Sequence, residues 1–262
     1  ITDCNDALHF DNSAPIISNN LITGSWTGID LEAFDYYGPG TWTSAAEVKN
    51  NLLYSNYWGI DVGAYAHYSD SAIEESVISY NTLLGTYGGL YPPGVGVYFY
   101  VESDDDGYAL ATTTIQNNII SGYLGPGIIL WADAYGYGAY YAPAAIVDLT
   151  GKGNSVSNNI IVNNPTGVHV STYTYDTGDV ATVDVELVNN AIGMFNPYYG
   201  YGVYNYNDWE NGGTSTTGLT INNDIIGEMG SGAFGGDTPA TLSVTYSDIE
   251  GGYAGTGNID LD

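Results

Sequence analysis

The chain of 262 residues carries 30 acidic residues against 2 lysines and no arginine, which gives a formal net charge of −28. So few cations cannot neutralise phosphates, which excludes nucleic-acid binding and argues against anionic membranes. The single cysteine, Cys4, excludes an internal disulfide bond.

A short pattern recurs along the whole chain. Its first copy, IISNNLI at residues 16–22, places two asparagines between aliphatic residues, and a glycine and a strand-like triplet follow at Gly28 to Leu31. Later copies keep this order and start 30 to 41 residues apart, although Tyr80 replaces one first asparagine. The second residue of the pair is, copy by copy, Asn20, Asn51, Asn81, Asn118, Asn159, Asn190 and Asn223.

Each copy predicts short β-strands, because apolar and polar residues alternate in stretches separated by Gly, Asn or Pro. Strands this short must stack on copies of themselves to bury anything. We therefore predict an all-β parallel solenoid of about seven coils, a single domain over residues 1–262 with open, strand-like ends. Long tyrosine-rich loops are expected near residues 85–95, 132–145 and 193–213.

The order Ile-x-Asn-Asn-x-Ile and then Gly-Ile-x-Leu resembles the repeats of right-handed parallel β-helix proteins, which include pectin-active enzymes, phage tailspikes and secreted surface proteins. The resemblance covers nearly the whole chain, from Ala7 to Ile249. It implies a single-stranded right-handed β-helix in which the second asparagine of each pair turns inward. The seven asparagines named above would then form a hydrogen-bonded ladder, so we interpret them as structural.

The middle residue of each triplet should point away from the core, because side chains alternate along a strand. The resulting outward column is His9, Asp30, Asp61, Tyr98, Ile129, His169 and Tyr204. Asp30 and Asp61 should lie about 5 Å apart, one strand spacing. Three interpretations stay open: a solvated face with two repelling acids, a divalent-cation site with His9 as a further ligand, or a retaining carboxylate pair with His9 as proton carrier.

A second acidic feature is the segment VESDDDGYAL, where Glu102, Asp104, Asp105 and Asp106 precede Gly107. Oxygen ligands before a glycine are typical of calcium loops, although the full EF-hand spacing is absent. The alternative is a solvated turn. We expect no required cofactor, and calcium is the ion that this segment would accept.

Tyrosines crowd two of the expected loops. They are Tyr135, Tyr137, Tyr140, Tyr141, Tyr198, Tyr199 and Tyr201. Rings with a polar tip suit half-wet surfaces. These residues would fold over the solenoid, stack on sugars or contact another protein, and the sequence leaves the three open.

The function is predicted mainly from the absence of arginine. The resemblance implies that lyases of this architecture use an arginine or lysine base, and the chain has no arginine, so an enzyme is not favoured and would be a glycoside hydrolase. We expect a secreted or cell-surface, non-catalytic β-helix that associates with its own copies or other surface proteins into an extracellular fibre or adhesive layer. The absence of an acceptable Asn-x-Ser/Thr site favours a prokaryotic or viral source. The alternative is a carbohydrate-active or carbohydrate-binding protein that acts on a neutral glycan through Asp30, Asp61 and the aromatic loops.

Overall fold

A computed structural model describes residues 1–34, 40–68, 70–85, 94–136, 143–150, 155–193, 200–227 and 229–260. These residues form strands and no helix, and therefore no helix long and apolar enough to span a membrane. In chain order the strands are β1 (Asp6–Asp11), β2 (Ile16–Ser18), β3 (Leu21–Thr23), β4 (Thr27–Phe34), β5 (Thr41–Ser44), β6 (Glu47–Lys49), β7 (Leu52–Tyr54), β8 (Trp58–Ala66), β9 (Ser71–Glu74), β10 (Val77–Ser79), β11 (Thr82–Leu84), β12 (Val95–Asp104), β13 (Tyr108–Ala111), β14 (Thr114–Gln116), β15 (Ile119–Ser121), β16 (Ile128–Tyr135), β17 (Ala144–Leu149), β18 (Val156–Ser157), β19 (Ile160–Val162), β20 (Thr166–Thr174), β21 (Val180–Val188), β22 (Ala191–Gly193), β23 (Tyr201–Trp209), β24 (Thr214–Asn222), β25 (Ile225–Gly227), β26 (Gly232–Gly236), β27 (Thr241–Thr245) and β28 (Asp248–Ile249).

The strands stack into three parallel sheets that run the length of the molecule. The long-strand sheet has the order β1-β4-β8-β12-β16-β20-β23-β26, and the short-strand sheet has the order β3-β7-β11-β15-β19-β22-β25-β28. The third sheet has 12 strands, because in several coils its face is divided between two strands. This arrangement is a parallel β-solenoid, consistent with a right-handed parallel β-helix, as the sequence predicts.

The core consists of aliphatic side chains stacked coil upon coil. In β4, Ile29, Leu31 and Ala33 are fully buried, and Ile29 pairs in register with Ile60 of β8. Burial of one such Ile or Leu side chain contributes about 1.5–3 kcal/mol. Because strict alternation sends every second residue outward, the outer face of the long-strand sheet is free to carry other chemistry.

A ladder of inward-pointing amides closes one corner of six successive coils. Asn51 is typical: its Nδ2 donates to Asn81 Oδ1 at 3.0 Å and to Ile17 O at 2.9 Å. Its Oδ1 accepts from the backbone N and the Nδ2 of Asn20, both at 3.0 Å. The amide is thus satisfied on both sides without water. The asparagines that stack in this way are Asn20, Asn51, Asn81, Asn118, Asn159 and Asn190.

Asn223 does not belong to the ladder, so this part of the prediction is wrong. Asn190 Nδ2 and backbone N donate instead to Asp224 Oδ1, at 2.9 and 2.6 Å. Asn223 has φ of 59°, the left-handed conformation that the first residue of each pair adopts, for example Asn189 at 56°. Asparagine tolerates that conformation better than most residues, so Asn223 and Asp224 form the pair rather than Asn222 and Asn223.

The predicted loop at residues 193–213 is also wrong in part, because residues 201–209 form strand β23. Inward Val203 and Asn205 alternate there with outward Tyr204 and Tyr206, and tyrosine favours strands. In the loop predicted near 132–145, β16 extends to Tyr135 and β17 begins at Ala144. Most of the loop predicted near 85–95 lies outside the described residues.

Candidate functional site

The outer face of the long-strand sheet brings the predicted column together. His9 pairs with Asp30, Asp30 with Asp61 and Asp61 with Tyr98, each on the adjacent strand. The column continues through Ile129, His169 and Tyr204. Two residues further along each strand, a second column contains Asp11, Glu32, Gly63, Tyr100 and Trp131.

At the β1 end of this face five titratable side chains form what we call the acidic cluster: His9, Asp11, Asp30, Glu32 and Asp61. His9 Nδ1 lies 2.7 Å from Asp30 Oδ2, and His9 Nε2 lies 2.9 Å from Asp11 Oδ1. One ligand atom each from His9, Asp11 and Glu32 lies within 4.8 Å of the others, which makes this a metal-compatible group among the described residues. The sequence did not single out Asp11 or Glu32.

Burial and mutual repulsion raise the carboxyl pKa values of this cluster. Desolvation, followed by the charge of Asp30, raises the pKa of Glu32 to about 7. Desolvation, then Asp30 and Glu32, raises the pKa of Asp61 well above its ordinary value. Burial raises the pKa of Asp30 even though its hydrogen bond to His9 opposes the shift. The cluster therefore favours bound protons, or another cation, over bare carboxylates.

Asp30 and Asp61 point outward but are not solvated, contrary to one of the three interpretations of the sequence. Each is only 8% exposed, and each keeps an Oδ1 atom that is buried without a hydrogen-bond partner. Tyr65 contributes to this cover: a Cβ on Gly63 would meet the Tyr65 ring at 2.2 Å. Such burial leaves little room for a sugar between the two carboxylates, so the pair is poorly placed for glycoside hydrolysis.

A path of aromatic rings leads from the acidic cluster toward the middle of the sheet. Trp58 stacks on Tyr98 with ring centroids 5.3 Å apart, and Tyr98 lies parallel to Tyr100 at 6.1 Å. Tyr100 then meets Trp131 edge-on at 5.8 Å. Tyr100 and Trp131 are register partners on adjacent strands, whereas Tyr98 and Tyr100 lie two residues apart on the same strand, β12.

At the end of this path the Asp133 carboxyl group accepts hydrogen bonds from three aromatic side chains. Its Oδ2 accepts from Tyr100 Oη at 3.0 Å and from Tyr135 Oη at 3.1 Å. Its Oδ1 accepts from Trp131 Nε1. Burial outweighs these three hydrogen bonds and raises the pKa of Asp133 to about 6. Asp133 thereby fixes the orientation of the rings around it.

Beside Asp133 lies an open pocket of about 450 Å³ lined by Trp131, Tyr135, Tyr173 and Tyr175, which we call the aromatic pocket. The rings of Tyr135 and Tyr173 are 5.7 Å apart. Of the tyrosines predicted for contact or sugar stacking, Tyr135 lines this pocket and Tyr201 packs on Tyr204, whereas Tyr137, Tyr140, Tyr141, Tyr198 and Tyr199 lie outside the described residues. Sequence reasoning missed Trp131, Asp133 and Tyr173, although all three follow the period-two pattern on outward strand positions.

The predicted calcium segment does not form a ligand group. Glu102 and Asp104 lie on strand β12, not on a loop, and only Asp105 to Gly107 turn toward β13. Asp104 Oδ2 is hydrogen-bonded to His67 Nδ1 at 3.0 Å. In the part of the chain that the structure describes, Glu102, Asp104, Asp105 and Asp106 are not among the residues that converge within metal-binding distance. Glu102 lies on the strand, apart from the turn at Asp105 to Gly107, so calcium binding by this segment stays a prediction.

Comparisons with protein-family models, curated proteins and solved structures give no match for this chain.

Proposed function

We propose that the protein is a non-catalytic binder of neutral glycans and that the glycan lies on the outer face of the long-strand sheet. The observation that carries this proposal is the aromatic pocket, which is lined by three half-buried rings and the exposed ring of Tyr175. The Asp133 carboxyl group holds two of these rings, Trp131 and Tyr135, by hydrogen bonds. Flat rings favour the apolar faces of sugar rings, and a carboxylate accepts from sugar hydroxyl groups.

Charge narrows the class of ligand. A formal net charge of −28 repels uronates and sulfated chains over distances up to about a Debye length. Along the path from Trp58 to Trp131 the groups beside the rings are carboxyls, as at Asp61 and Asp133. A neutral polysaccharide satisfies both conditions, because it offers hydroxyl donors and carries no charge.

Binding to a panel of soluble neutral polysaccharides, followed by calorimetry or affinity electrophoresis, tests the proposal. Trp131→Ala should weaken binding by about 5- to 150-fold, since stacking on one aromatic ring contributes roughly 1–3 kcal/mol. Tyr206→Ala removes an exposed ring on the same sheet outside the pocket and should leave affinity unchanged. A wild-type protein that binds no member of the panel would end the proposal.

Self-association, the function that the sequence favours, has separate support on the short-strand sheet. A column of outward residues lies in register there: Leu21, Leu52, Thr82, Ile119, Ile160, Ala191 and Ile225. Leu21 is 57% and Ile225 is 58% exposed. Beside it runs a second uncharged column: Thr23, Tyr54, Leu84, Ser121, Val162, Gly193 and Gly227.

We propose that a second copy of the chain covers this aliphatic column, because it is an uncharged strip through which two strongly acidic molecules can meet with little repulsion. Seven strands at about 4.8 Å give a strip roughly 30 Å long and one short strand wide. The area of this strip is smaller than the about 800 Å² that each partner buries in a stable dimer, so association should be weak. It should strengthen with salt, because salt screens the repulsion between the two acidic molecules.

Sedimentation velocity over a range of protein and salt concentrations tests this second proposal. Ile160→Glu should abolish the concentration-dependent species. Ile16→Glu places the same charge at an exposed isoleucine on β2, away from the column, and serves as the control. A wild-type protein that sediments as a monomer at every concentration would contradict the proposal.

A further inference from the structure

We propose that the acidic cluster binds a first-row divalent cation such as Zn²⁺ through His9 Nε2 and the carboxylates of Asp11 and Glu32. One ligand atom from each of the three residues already lies within 4.8 Å of the others. Bonds of about 2.0–2.2 Å allow one ion to join atoms up to roughly 4.4 Å apart. Small side-chain rotations therefore close the site.

Asp30 holds His9 in the orientation that a metal ligand needs. His9 Nδ1 lies 2.7 Å from Asp30 Oδ2, which leaves Nε2 directed to Asp11 Oδ1 at 2.9 Å. A carboxylate on the second ring nitrogen is the usual outer partner of a metal-bound histidine.

The backbone that carries the ligands is fixed before any cation binds. Asp11 and Glu32 are direct partners on the paired strands β1 and β4. Just beyond Asp11, the Asn12 side chain accepts from Phe34 N at 2.9 Å and donates to Phe34 O at 2.7 Å. Asn12 N also donates to Glu32 O at 2.8 Å. The two carboxylates therefore start from a rigid edge, which reduces the ordering that binding requires.

Two buried carboxyl oxygens supply the independent evidence for a cation. Asp30 and Asp61 are each 8% exposed, yet Oδ1 of each has no hydrogen-bond partner. Asp61 is the register partner of Asp30 on the adjacent strand, so its side chain lies on the same outer face beside the cluster. An unpaired buried carboxyl oxygen costs free energy that a nearby cation offsets.

The ligand set indicates which ion the site prefers. Imidazole nitrogen with carboxylates suits Zn²⁺ or Mn²⁺, whereas Ca²⁺ favours six to eight oxygen ligands. We therefore expect Zn²⁺ to bind more tightly than Ca²⁺, although the sequence alone suggests calcium, and at a different segment.

Titration calorimetry of the full chain with ZnCl₂ and with CaCl₂, after removal of metals, tests the site. His9→Gln should weaken Zn²⁺ binding by at least about 10-fold, and Asp30→Asn by about 10- to 100-fold through the lost orientation of His9. His67→Gln is the matched control, because His67 also pairs with one carboxylate, Asp104, on the same sheet. Equal Zn²⁺ affinity in wild type and His9→Gln, or tighter binding of Ca²⁺, overturns the proposal.

A second measurement needs no variant. The chain has only 3 histidines, so their imidazole nitrogen resonances can be followed individually by NMR. Zn²⁺ should displace the His9 Nε2 resonance at one molar equivalent and leave His67 and His169 in place. Zn²⁺ that binds without moving His9 is held by the acidic surface alone and contradicts the site. Neither result depends on glycan binding, because the aromatic pocket lies on β16 and beyond, whereas the zinc ligands lie on β1 and β4.

Discussion

Replacement of Asp224 by asparagine should stabilise the protein at neutral pH. Asp224 occupies the ladder position after Asn190 and is 1% exposed. Asn190 donates to its Oδ1, but a carboxylate cannot donate onward as the asparagines do. In the variant, the new Nδ2 can donate to the backbone carbonyl of Leu187, which corresponds to the Val156 carbonyl that Asn190 contacts.

The magnitude follows from the pKa of Asp224, which burial raises from 3.8 to about 6 against the opposing hydrogen bonds of Asn190 and Asn222. Because the folded-state value is the higher one, the stability is fully present below pH 3.8 and is lost as pH rises to about 6. The loss amounts to about 3 kcal/mol by pH 7. Asp224→Asn removes this loss of stability. The net gain is reduced by the contribution of the hydrogen bond from Asn222 N to Asp224 Oδ2, which the variant lacks.

Urea unfolding of both proteins at pH 3.5, 5 and 7 measures the effect as the change with pH in the difference between their free energies of unfolding. That difference should move in favour of the variant by about 3 kcal/mol between the first and last pH. Glu186→Gln on the outward side of β21 removes one negative charge without a ladder contact and is the control. A difference that stays constant across the pH range would refute the reasoning.

Three further predictions concern the same framework. Asn118→Ala should destabilise the fold by at least about 3 kcal/mol in urea unfolding, because Asn81 N and Ile78 O lose their hydrogen-bond partners. Asn117→Gly should cost less than about 1 kcal/mol, because glycine readily adopts the φ of 56° at this position. Glu74 is fully buried, and desolvation raises its pKa to about 8. The free energy of unfolding should therefore fall by about 3 kcal/mol between pH 4.5 and pH 7. Glu74→Gln should abolish this part of the pH dependence of stability. Added NaCl should raise the melting temperature of the wild type, because it screens repulsion among 30 acidic residues, and an unchanged melting temperature would show that the charges lie too far apart to matter.

The sequence predicts the fold because every coil repeats one local requirement. The first residue of the pair takes a left-handed conformation, as at Asn19 with φ of 59°, and the second turns its amide inward. Register is then set by the aliphatic residues on either side. The ladder prediction fails at Asn222-Asn223-Asp224, where three consecutive polar residues allow two registers and φ alone selects one.

The candidate site could be predicted less completely. Spacing placed His9, Asp30 and Asp61 in one outward column, because strand register is a local property. The residues at +2 along the same strands, Asp11 and Glu32, follow from the same alternation and could have been found. Burial of the outward acids, each 8% exposed, could not, since it depends on how neighbouring side chains pack over them and not on a periodicity of the sequence.

The positions of the carboxyl groups that destabilise the fold at neutral pH favour a binding role for the outer face of the long-strand sheet. Burial raises the pKa of Asp30, Glu32, Asp61 and Asp133, all on that outer face, so each weakens the fold as pH rises toward neutrality. These carboxyl groups do not support the asparagine ladder, because its amides hydrogen-bond to one another and to the backbone. A chain that needed only a stable rod would place uncharged residues there, as it does on the short-strand sheet. At neutral pH, a cation or a hydroxyl-rich ligand on the face would offset the cost of these carboxyl groups, and the zinc and glycan experiments test for that occupancy.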